Sequence, residues 1–467
     1  MLSKILILSF IPFAITFCLA KQYFRKMPFK GIDVHKSEKV CLPEALGIFS
    51  GISFIITLFL YSIYTKFCDK KHSRQKNLWC ILCIGISVSG AIIFGVIDDL
   101  FEIKSWIHKI YFPILSSHPF LIHFILKDCL YVAKSKDILK FGINAFFIIF
   151  SFNCVNILSG INGLELMQIL IISGFGMVDQ IIIYLRIKKK RIKKSDFSSD
   201  LNVDNDNNKP ELNFKNEYFQ TILTNKKSKI ILKKLNTEQI RCIIINKSLE
   251  YKYIKKTTRE FIKNFCSSYS IPSDSNKLNF TSNYKNSHIF INKDNAQIEK
   301  NKLNQISNQS RTGFFIYLIC FFSSLPLYYY NKYPAIALLG NTFPYYNGIL
   351  IACTSILTKS QSTIFGFFGL QLLNFTISLP QITGLVFCPR HRMPGYKNNF
   401  LVPSLITQNN TKKCFFDLNG YPNLTILNFI LMHRRMKENE LVNLIALIML
   451  FYCLLILLIK HIFFKIL

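Results

Sequence analysis

Long apolar stretches recur along this chain, and their length constrains its fold more than any other feature of the sequence. About ten of them approach the roughly 20 residues that a helix needs to cross the hydrocarbon core of a bilayer. Half of the 467 residues are hydrophobic and 44 are Phe, which is more long apolar sequence than a soluble domain can bury. We therefore expect an all-α, polytopic membrane protein of about ten transmembrane helices.

The candidate spans fall into two groups, separated by a long polar segment. To within several residues, they lie at 2–20, 46–66, 78–97, 110–127, 139–157, 165–187, 313–330, 335–357, 362–386 and 441–463. The first has Lys4 before an apolar core, as a signal peptide does. It lacks a small-residue cleavage site near Lys21, so we interpret it as a membrane anchor. The fourth contains Pro113 and Pro119, which a bundle tolerates when neighbouring helices satisfy the freed carbonyls.

The spans divide the chain into five parts. Residues 1–187 hold helices one to six, 188–312 form a Lys- and Asn-rich, partly disordered insertion, 313–387 hold helices seven to nine, 388–440 form a long loop, and 441–467 hold the last helix. The formal net charge is +31, so basic residues gather between spans, where they meet anionic headgroups or phosphorylated substrates or simply solvate loops. The basic run that begins at Lys188 resembles a nucleic-acid patch, but on a polytopic chain we expect no nucleic acid partner.

Two adjacent carboxylates end the third span. Asp98 and Asp99 lie at the mouth of a membrane helix, where ionisable side chains are costly and are usually retained for a function or paired with a partner. The alternative is a pair of helix-end acids neutralised by Lys104, His108 or Lys109. Both interpretations stay open on this feature alone.

Three further loops contain polar groups suited to phosphates or nucleotides. After the fifth span, residues 153–165 combine Asn and Gly in a tight turn that exposes backbone amides, although Asn and Gly also mark ordinary turns. The loop after the seventh span contains Asn341. The loop after the ninth contains Arg390, His391 and Arg392 between two prolines, which suits a phosphate site as well as a basic cluster that flanks a membrane.

The order of the spans brings these loops to one side of the membrane. If each span crosses once, the loops after spans one, three, five, seven and nine share a face. Their polar residues are Glu44, Asp98, Asp99, Asn156, Asn162, Asn341, Arg390, His391 and Arg392. A metal-bound pyrophosphate requires such a set, because Mg²⁺ takes oxygen ligands and cations neutralise the remaining phosphate charge. We therefore expect one site at the membrane surface.

The same motifs, in the same order, resemble those of the polyprenyl-phosphate N-acetylhexosamine-1-phosphate transferases. The resemblance is carried by Pro43-Glu44 with Gly47, by Asp98-Asp99 followed by Trp106, His108 and Lys109, by residues 156–165, and by Pro389-Arg390-His391-Arg392. It covers nearly the whole chain apart from about 188–312, and the last motif with its extended loop points to the eukaryotic branch.

The resemblance implies a membrane enzyme of the endoplasmic reticulum with its active site on the cytosolic face. The implied reaction transfers N-acetylglucosamine 1-phosphate from UDP-N-acetylglucosamine to dolichyl phosphate and releases UMP, the first step of lipid-linked oligosaccharide synthesis for N-glycosylation. It also implies a Mg²⁺ cofactor and sensitivity to tunicamycin. The implied partners are the two substrates and membrane lipid, and the sequence is compatible with a homodimer.

The resemblance further implies a role for each motif residue. The implied catalytic residues are Asp98, which positions or deprotonates the lipid phosphate, Asp99, which supports the site, Lys109, which contacts the diphosphate, and His391, near the sugar phosphate. The implied substrate-binding residues are Glu44, Trp106, Asn162, Leu338, Arg390 and Arg392, and the implied Mg²⁺ ligands are Asn156 and Asn341.

Several positions depart from the family pattern. Asn341 stands where the family has a magnesium-binding Asp, Leu338 replaces an aromatic residue that stacks on uracil, and Glu102 stands where Asn or Asp is usual. The segment between the acid pair and Lys109 is one residue longer than the family spacing. An Asn oxygen still coordinates a cation, but the lost charge weakens Mg²⁺ binding.

These departures support a second hypothesis, a catalytically weakened homologue that acts as a membrane scaffold or partner. A third, a transporter or channel, lacks support because the sequence shows no inverted repeat and no paired broken helices. With cytosolic catalytic loops, the insertion is lumenal. The sequons at Asn246, Asn279 and Asn308 are then open to glycosylation, whereas those at Asn409 and Asn423 are not.

Overall fold

The described part of the computed structural model covers most of the apolar sequence. It comprises residues 2–33, 40–68, 75–101, 103, 107–129, 135–203, 280–389, 392–407, 415–416 and 418–463. Met1–Lys189 and Gln305–Leu467 form one compact unit, and Lys190–Asn304 form a second. The predicted disorder within the insertion falls largely on 204–279, outside the described residues. The five-part division of the chain stays a prediction.

Helices account for most of the described chain. In order they are α1 (Leu2–Tyr23), α2 (Gly47–Cys68), α3 (Gln75–Phe101), α4 (His108–Cys129), α5 (Ser135–Ile157), α6 (Leu164–Val203), α7 (Phe280–Ser324), α8 (Leu327–Asn331), α9 (Thr342–Thr358), α10 (Gln361–Phe367), α11 (Gly369–Ile382), α12 (Ile426–His433) and α13 (Glu438–Leu458). Such apolar sequences are expected to form helices in a bilayer, because lipid offers no partner to unpaired backbone groups. The predicted all-α class is confirmed.

Two short antiparallel hairpins lie between the helices. β1 (Lys30–Asp33) pairs with β2 (Val40–Pro43), and β3 (Gly395–Lys397) pairs with β4 (Phe400–Val402). The β3–β4 turn uses Asn398 and Asn399 with positive φ, a backbone conformation that Asn tolerates better than most residues. The β1–β2 hairpin leads directly into Glu44, and it therefore fixes the entry of the chain into α2.

Fewer helices than predicted satisfy the length and hydropathy expected of a membrane span. Five do so, over Ile7–Lys26, Gly47–Phe67, Leu78–Phe101, Leu164–Arg191 and Glu438–Ile462. The α10–α11 pair satisfies these criteria together but bends by 63°, which gives up to six spans among the described residues. α5 is apolar only over Phe141–Ile157, and α9 has only 17 residues. The predicted count of about ten is therefore not confirmed.

α9 is the buried centre of the helical unit. Its residues from Thr342 to Thr358 are all buried, and it packs against α2, α3, α4 and α5. The helices approach closely because Gly95 of α3 faces Thr342 and Gly47 of α2 faces Phe343, where any side chain would overlap backbone atoms. The helix begins at Thr342 rather than near 335, the predicted start of the eighth span.

The loop before α9 turns sharply as it enters the helix. Gly340 has a φ of 73°, which costs glycine little and strains other residues. A Cβ at Gly340 would also lie 2.6 Å from Asp99 Oδ2. The turn thereby brings Asn341 to the N-terminal end of α9, beside the end of α3.

The sequon at Asn423 belongs to buried packing. Asn423 is 1% exposed, its Oδ1 accepts a hydrogen bond from Gln381 Nε2 (2.9 Å), and its Nδ2 donates to Ser404 Oγ (2.9 Å). Thr425 of the same sequon caps α12 by accepting from the backbone N–H of Asn428 (3.3 Å). These contacts occupy the amide nitrogen to which a glycan would be attached.

We expect no glycan on Asn423 in the folded protein. Endoglycosidase digestion of wild type and an Asn423→Gln variant should give the same change in gel mobility. Asn308→Gln serves as the matched comparison, since Asn308 is a partly exposed sequon residue on α7. A mobility shift that disappears only in Asn423→Gln would contradict the expectation.

Candidate active site

A cavity of about 250 Å³ lies where the predicted loops meet. The residues that line it are Ile32, Asp33, Glu44, Ser159, Gly160, Ile161, Asn162, Glu165, Asn331, Leu338, Leu339, Gly340, Asn341 and Met393. They come from the loops after the first, fifth and ninth predicted spans, from the first turn of α6, and from 331–341, where a loop stands in place of the predicted start of the eighth span. The described lining includes three carboxylates and no Lys, Arg or His, so the cavity favours cations.

Hydrogen bonds join three of the predicted site residues. Asn156 Nδ2, in the last turn of α5, donates to Asn341 Oδ1 (3.1 Å). The backbone N–H of Asn341 donates to Asp99 Oδ1 (2.5 Å), while the N–H and hydroxyl of Thr342 donate to Asp99 Oδ2 (3.1 and 2.7 Å). Asp99 therefore caps α9, at the helix end where the dipole favours negative charge.

Asp98 makes different contacts from its neighbour. Its Oδ2 accepts from the hydroxyl of Tyr345 (2.7 Å), and its Oδ1 lies 3.6 Å from Nε2 of His108. Both acids lie in the last turn of α3, which continues to Phe101 instead of ending at 97. Asp98 is buried and faces no backbone donor in the described structure, which leaves its charge available to groups beside the helix end.

Lys109 and Arg392 lie close enough to Asp98 and to each other to interact electrostatically. Removal from water lowers the pKa of Lys109, the Asp98 carboxylate opposes that shift, and the Arg392 cation adds to it. The buried Nη1 of Arg392 has no hydrogen-bond partner within the described ranges. A buried guanidinium nitrogen without an acceptor is costly. An anion bound beside Lys109 and Arg392 would supply the acceptor.

Glu44 and Leu338 lie in the same wall of the cavity. The backbone N–H of Leu338 donates to the Pro43 carbonyl (2.8 Å), and the N–H of Leu46 donates to the Leu338 carbonyl (3.1 Å). Between these bonds Ala45 has a φ of 69°, an unfavourable conformation for a residue with a Cβ. Such strain persists only where surrounding contacts fix the backbone, and here they fix the position of Glu44.

Asn162 sits in a tight turn between α5 and α6. Its Nδ2 donates to Asp33 Oδ2 (3.0 Å), and its backbone N–H donates to Glu438 Oε1 (2.5 Å). The next N–H, of Gly163, donates to Asn331 Oδ1 (2.9 Å). Side chains from β1, α8 and α13 therefore hold this turn at the edge of the cavity.

Several residues of the site were not identified from the sequence. They are Asp33, Asn331, Tyr345, Met393 and Glu438. Glu438 is an acid directly before the last apolar span, a signal that could have identified it, whereas the other four have no distinguishing neighbours in the sequence. Of the predicted residues, Trp106, Arg390 and His391 lie outside the described residues.

The oxygen donors around Asn341 fit a hard divalent cation. The amide oxygen of Asn341 accepts from Asn156, the backbone N–H of Asn341 donates to Asp99, and Asn341 lines the cavity together with Glu165 and Glu44. The described chain contains no cluster of three or more His, Cys, Asp or Glu residues with metal-binding geometry. Mg²⁺ needs none, because it is usually held by one or two carboxylates, waters and substrate phosphates.

Part of the chain matches a known family of enzymes. Residues 79–190, from within α3 to within α6, match the model of glycosyl transferase family 4. This segment contains Asp98, Asp99, Asn156 and Asn162. A membrane glycosyl transferase is therefore the class of protein that the fold and the site resemble.

Within that class, the chain is similar to enzymes named UDP-N-acetylglucosamine–dolichyl-phosphate N-acetylglucosaminephosphotransferase. The Schizosaccharomyces pombe protein of that name is 21% identical over 479 aligned positions, which cover 90% of this chain and 82% of the relative. The Dictyostelium discoideum protein is 40% identical over 75 residues, 16% of this chain and 18% of the relative. The Saccharomyces cerevisiae protein is 39% identical over 83 residues, 17% of this chain and 18% of the relative.

The strongest identity is local. The matched segments span less than a fifth of the Dictyostelium and Saccharomyces relatives, whereas the more distant Schizosaccharomyces alignment spans most of both chains. The family resemblance predicted from the sequence motifs is confirmed.

Proposed function

We propose that this chain transfers N-acetylglucosamine 1-phosphate from UDP-N-acetylglucosamine to dolichyl phosphate, with release of UMP. The observation that carries the proposal is the hydrogen-bonded series Asn156–Asn341–Asp99. It joins three helix ends from distant parts of the sequence beside a cavity lined by carboxylates. The proposed substrates are those in the names of the relatives. Neither the contacts among the described residues nor the relatives favour an inert scaffold.

The reaction joins two anions. An oxygen of the dolichyl phosphate attacks the phosphorus attached to the sugar, the bond from that phosphorus to the oxygen of UMP breaks, and UMP leaves with that oxygen. Repulsion between lipid phosphate and diphosphate opposes their approach, so alignment and charge neutralisation should dominate catalysis. In this proposal Lys109 and Arg392 bind the phosphate oxygens, which agrees with the unpartnered Nη1 of Arg392 among the described residues.

Asp98 and Asp99 have separate roles in the proposal. Asp98 is the group that orients or deprotonates the lipid phosphate, since it lies near Lys109 and has no backbone donor among the described residues. Asp99 accepts hydrogen bonds from Asn341 and Thr342, and it positions the start of α9. Glu44, Asn162 and Leu338 bind the nucleotide from the cavity wall.

Asn156 and Asn341 would hold Mg²⁺ through their amide oxygens. The bound cation would neutralise charge on the diphosphate and favour departure of UMP. Asn341 contributes no negative charge, so the protein's charge toward the cation comes from neighbouring carboxylates such as Asp99. We also place the enzyme in the membrane of the endoplasmic reticulum, because dolichyl phosphate in the relatives' names implies N-glycosylation.

A direct assay tests the proposal. Microsomes from cells that express the chain receive radiolabelled UDP-N-acetylglucosamine and dolichyl phosphate, with Mg²⁺ or with EDTA. We expect labelled lipid diphosphate and UMP in equal amounts, only with Mg²⁺, and inhibition by tunicamycin. A parallel reaction with labelled UDP-glucose tests whether the enzyme requires N-acetylglucosamine as the sugar. The Saccharomyces relative serves as positive control. Lack of product from this chain alongside an active control would refute the proposed function.

A further inference from the structure

The turn that presents Asn162 to the cavity is held by the first residue of the last helix. The Asn162 N–H donates to Glu438 Oε1 over 2.5 Å, although 276 residues separate the two. Glu438 is 2% exposed and opens α13. We propose that Glu438 is a positioning residue for binding of the UDP-sugar, and that it acts by fixing the backbone of Asn162. This inference rests on the proposed function.

The surrounding backbone explains why the turn needs an external support. Gly160 and Gly163 have φ values of 101° and 86°, which glycine adopts without strain. Glycine is also the most flexible residue, so these two positions do not make the turn rigid. The N–H groups of Asn162 and Gly163 are consecutive donors. Without acceptors, the buried N–H of Gly163 and the partly buried N–H of Asn162 would lose their hydrogen bonds, and the turn would move to recover them.

Two acceptors from different helices meet this requirement. Asn331, at the end of α8, accepts from Gly163, and its Nδ2 donates to the Ala337 carbonyl (3.1 Å), which ties the turn to the loop before α9. Glu438 accepts from Asn162. As a first-turn residue of α13, Glu438 gains from the positive end of the helix dipole, which makes a buried carboxylate tolerable.

The arrangement determines where the Asn162 side chain lies. Its Nδ2 donates to Asp33 Oδ2 (3.0 Å), and both residues line the cavity. Glu438 fixes the backbone N–H of Asn162, and Asp33 fixes its side-chain amide. Both the backbone and the side chain of Asn162 are therefore held in place before the substrate binds. Preorganised polar groups bind a ligand with less loss of entropy, so release of one end should weaken nucleotide binding more than it slows the chemical step.

The charges around the Asn162 turn indicate which part of the substrate this turn contacts. Asp33 and Glu438 carry two carboxylates, whereas Lys109 and Arg392 lie with Asp98. A diphosphate is repelled by the first group and attracted by the second. Glu438 therefore supports contacts to an uncharged part of the nucleotide, and its loss should leave the lipid phosphate unaffected.

Kinetics of purified full-length protein test this role, with Glu438→Ala, Glu438→Gln and Glu440→Gln compared. Glu440 is the matched control, because it lies on the same turn and is exposed. For Glu438→Ala we expect KM for UDP-N-acetylglucosamine to rise about tenfold, with kcat changed less than about threefold and KM for dolichyl phosphate unchanged. Glu438→Gln retains an acceptor oxygen, so it should return KM to within about threefold of wild type.

Titration calorimetry with UDP-N-acetylglucosamine gives a second readout, and the Kd should change with KM. An unchanged KM in Glu438→Ala, or equal rises of KM for both substrates, would overturn the positioning role while wild-type turnover upholds the proposed function. Absence of both binding and turnover in wild type would overturn both. If Glu438→Ala does not accumulate, Glu438→Asp withdraws the acceptor by one methylene, and an unchanged KM there would equally refute the role.

Discussion

Replacement of Asp98 by Asn is expected to reduce turnover at least about 1000-fold while the folded protein keeps its thermal stability. The structure accommodates the amide. Its oxygen can still accept from the hydroxyl of Tyr345, and its nitrogen would face His108 Nε2, 3.6 Å from the present carboxylate oxygen. What disappears is the negative charge beside Lys109 and the capacity to accept a proton.

The adjacent substitution should behave differently. Both oxygens of Asp99 accept hydrogen bonds, from two backbone N–H groups and from the Thr342 hydroxyl. In Asp99→Asn, the new NH₂ group would replace one of the two acceptor oxygens, so at least one of these donors would lose its partner. We expect a loss of about 1–3 kcal/mol in the free energy of unfolding, together with reduced turnover.

Thermal unfolding and product formation on the same purified samples separate the two acids. Glu440→Gln again provides the control, since it makes the same chemical change at an exposed site. Turnover of Asp98→Asn within tenfold of wild type would remove Asp98 from the chemistry. A lower unfolding temperature in Asp98→Asn than in Asp99→Asn would reverse the assigned roles.

The helices could be predicted from the sequence because their apolar length is a local property. The second predicted span, 46–66, corresponds to α2 at Gly47–Cys68, and the last, 441–463, to α13 at Glu438–Leu458. The β1–β2 hairpin was not predicted, because two four-residue strands in a polar loop leave no periodicity long enough to recognise.

The candidate site could be predicted only where the type of a single side chain, such as an acid or amide beside an apolar span, already indicates a role. Parity of the spans brought Asp99, Asn156 and Asn341 to one side. In the structure the Asn156 side chain donates to the Asn341 side chain, and the Asn341 backbone N–H donates to Asp99. Parity cannot assign partners, so the separate environments of Asp98 and Asp99 were not predicted. The bond from Asn162 to Glu438 joins residues too distant in sequence for any local pattern to detect.

Replacement of Asn341 by Asp is expected to lower the Mg²⁺ concentration for half-maximal activity about tenfold. The Asp oxygen can still accept from Asn156 Nδ2, and the backbone N–H of residue 341 can still donate to Asp99. Only charge is added, within a group that already contains Asp99 and adjoins Glu165 and Glu44. A divalent cation bound there would gain one attractive interaction in a region of low dielectric.

When no cation is present, the charge added by Asn341→Asp should destabilise the protein instead. Without Mg²⁺, a carboxylate at 341 repels Asp99, and we expect the free energy of unfolding to fall by about 1 kcal/mol relative to wild type in EDTA. Since a ligand stabilises the folded state it binds, added Mg²⁺ should stabilise Asn341→Asp more than wild type. Asn398→Asp adds the same charge at the exposed β3–β4 turn and should respond to Mg²⁺ as wild type does. Equal Mg²⁺ dependence of activity and stability in all three proteins would show that residue 341 does not sense the cation.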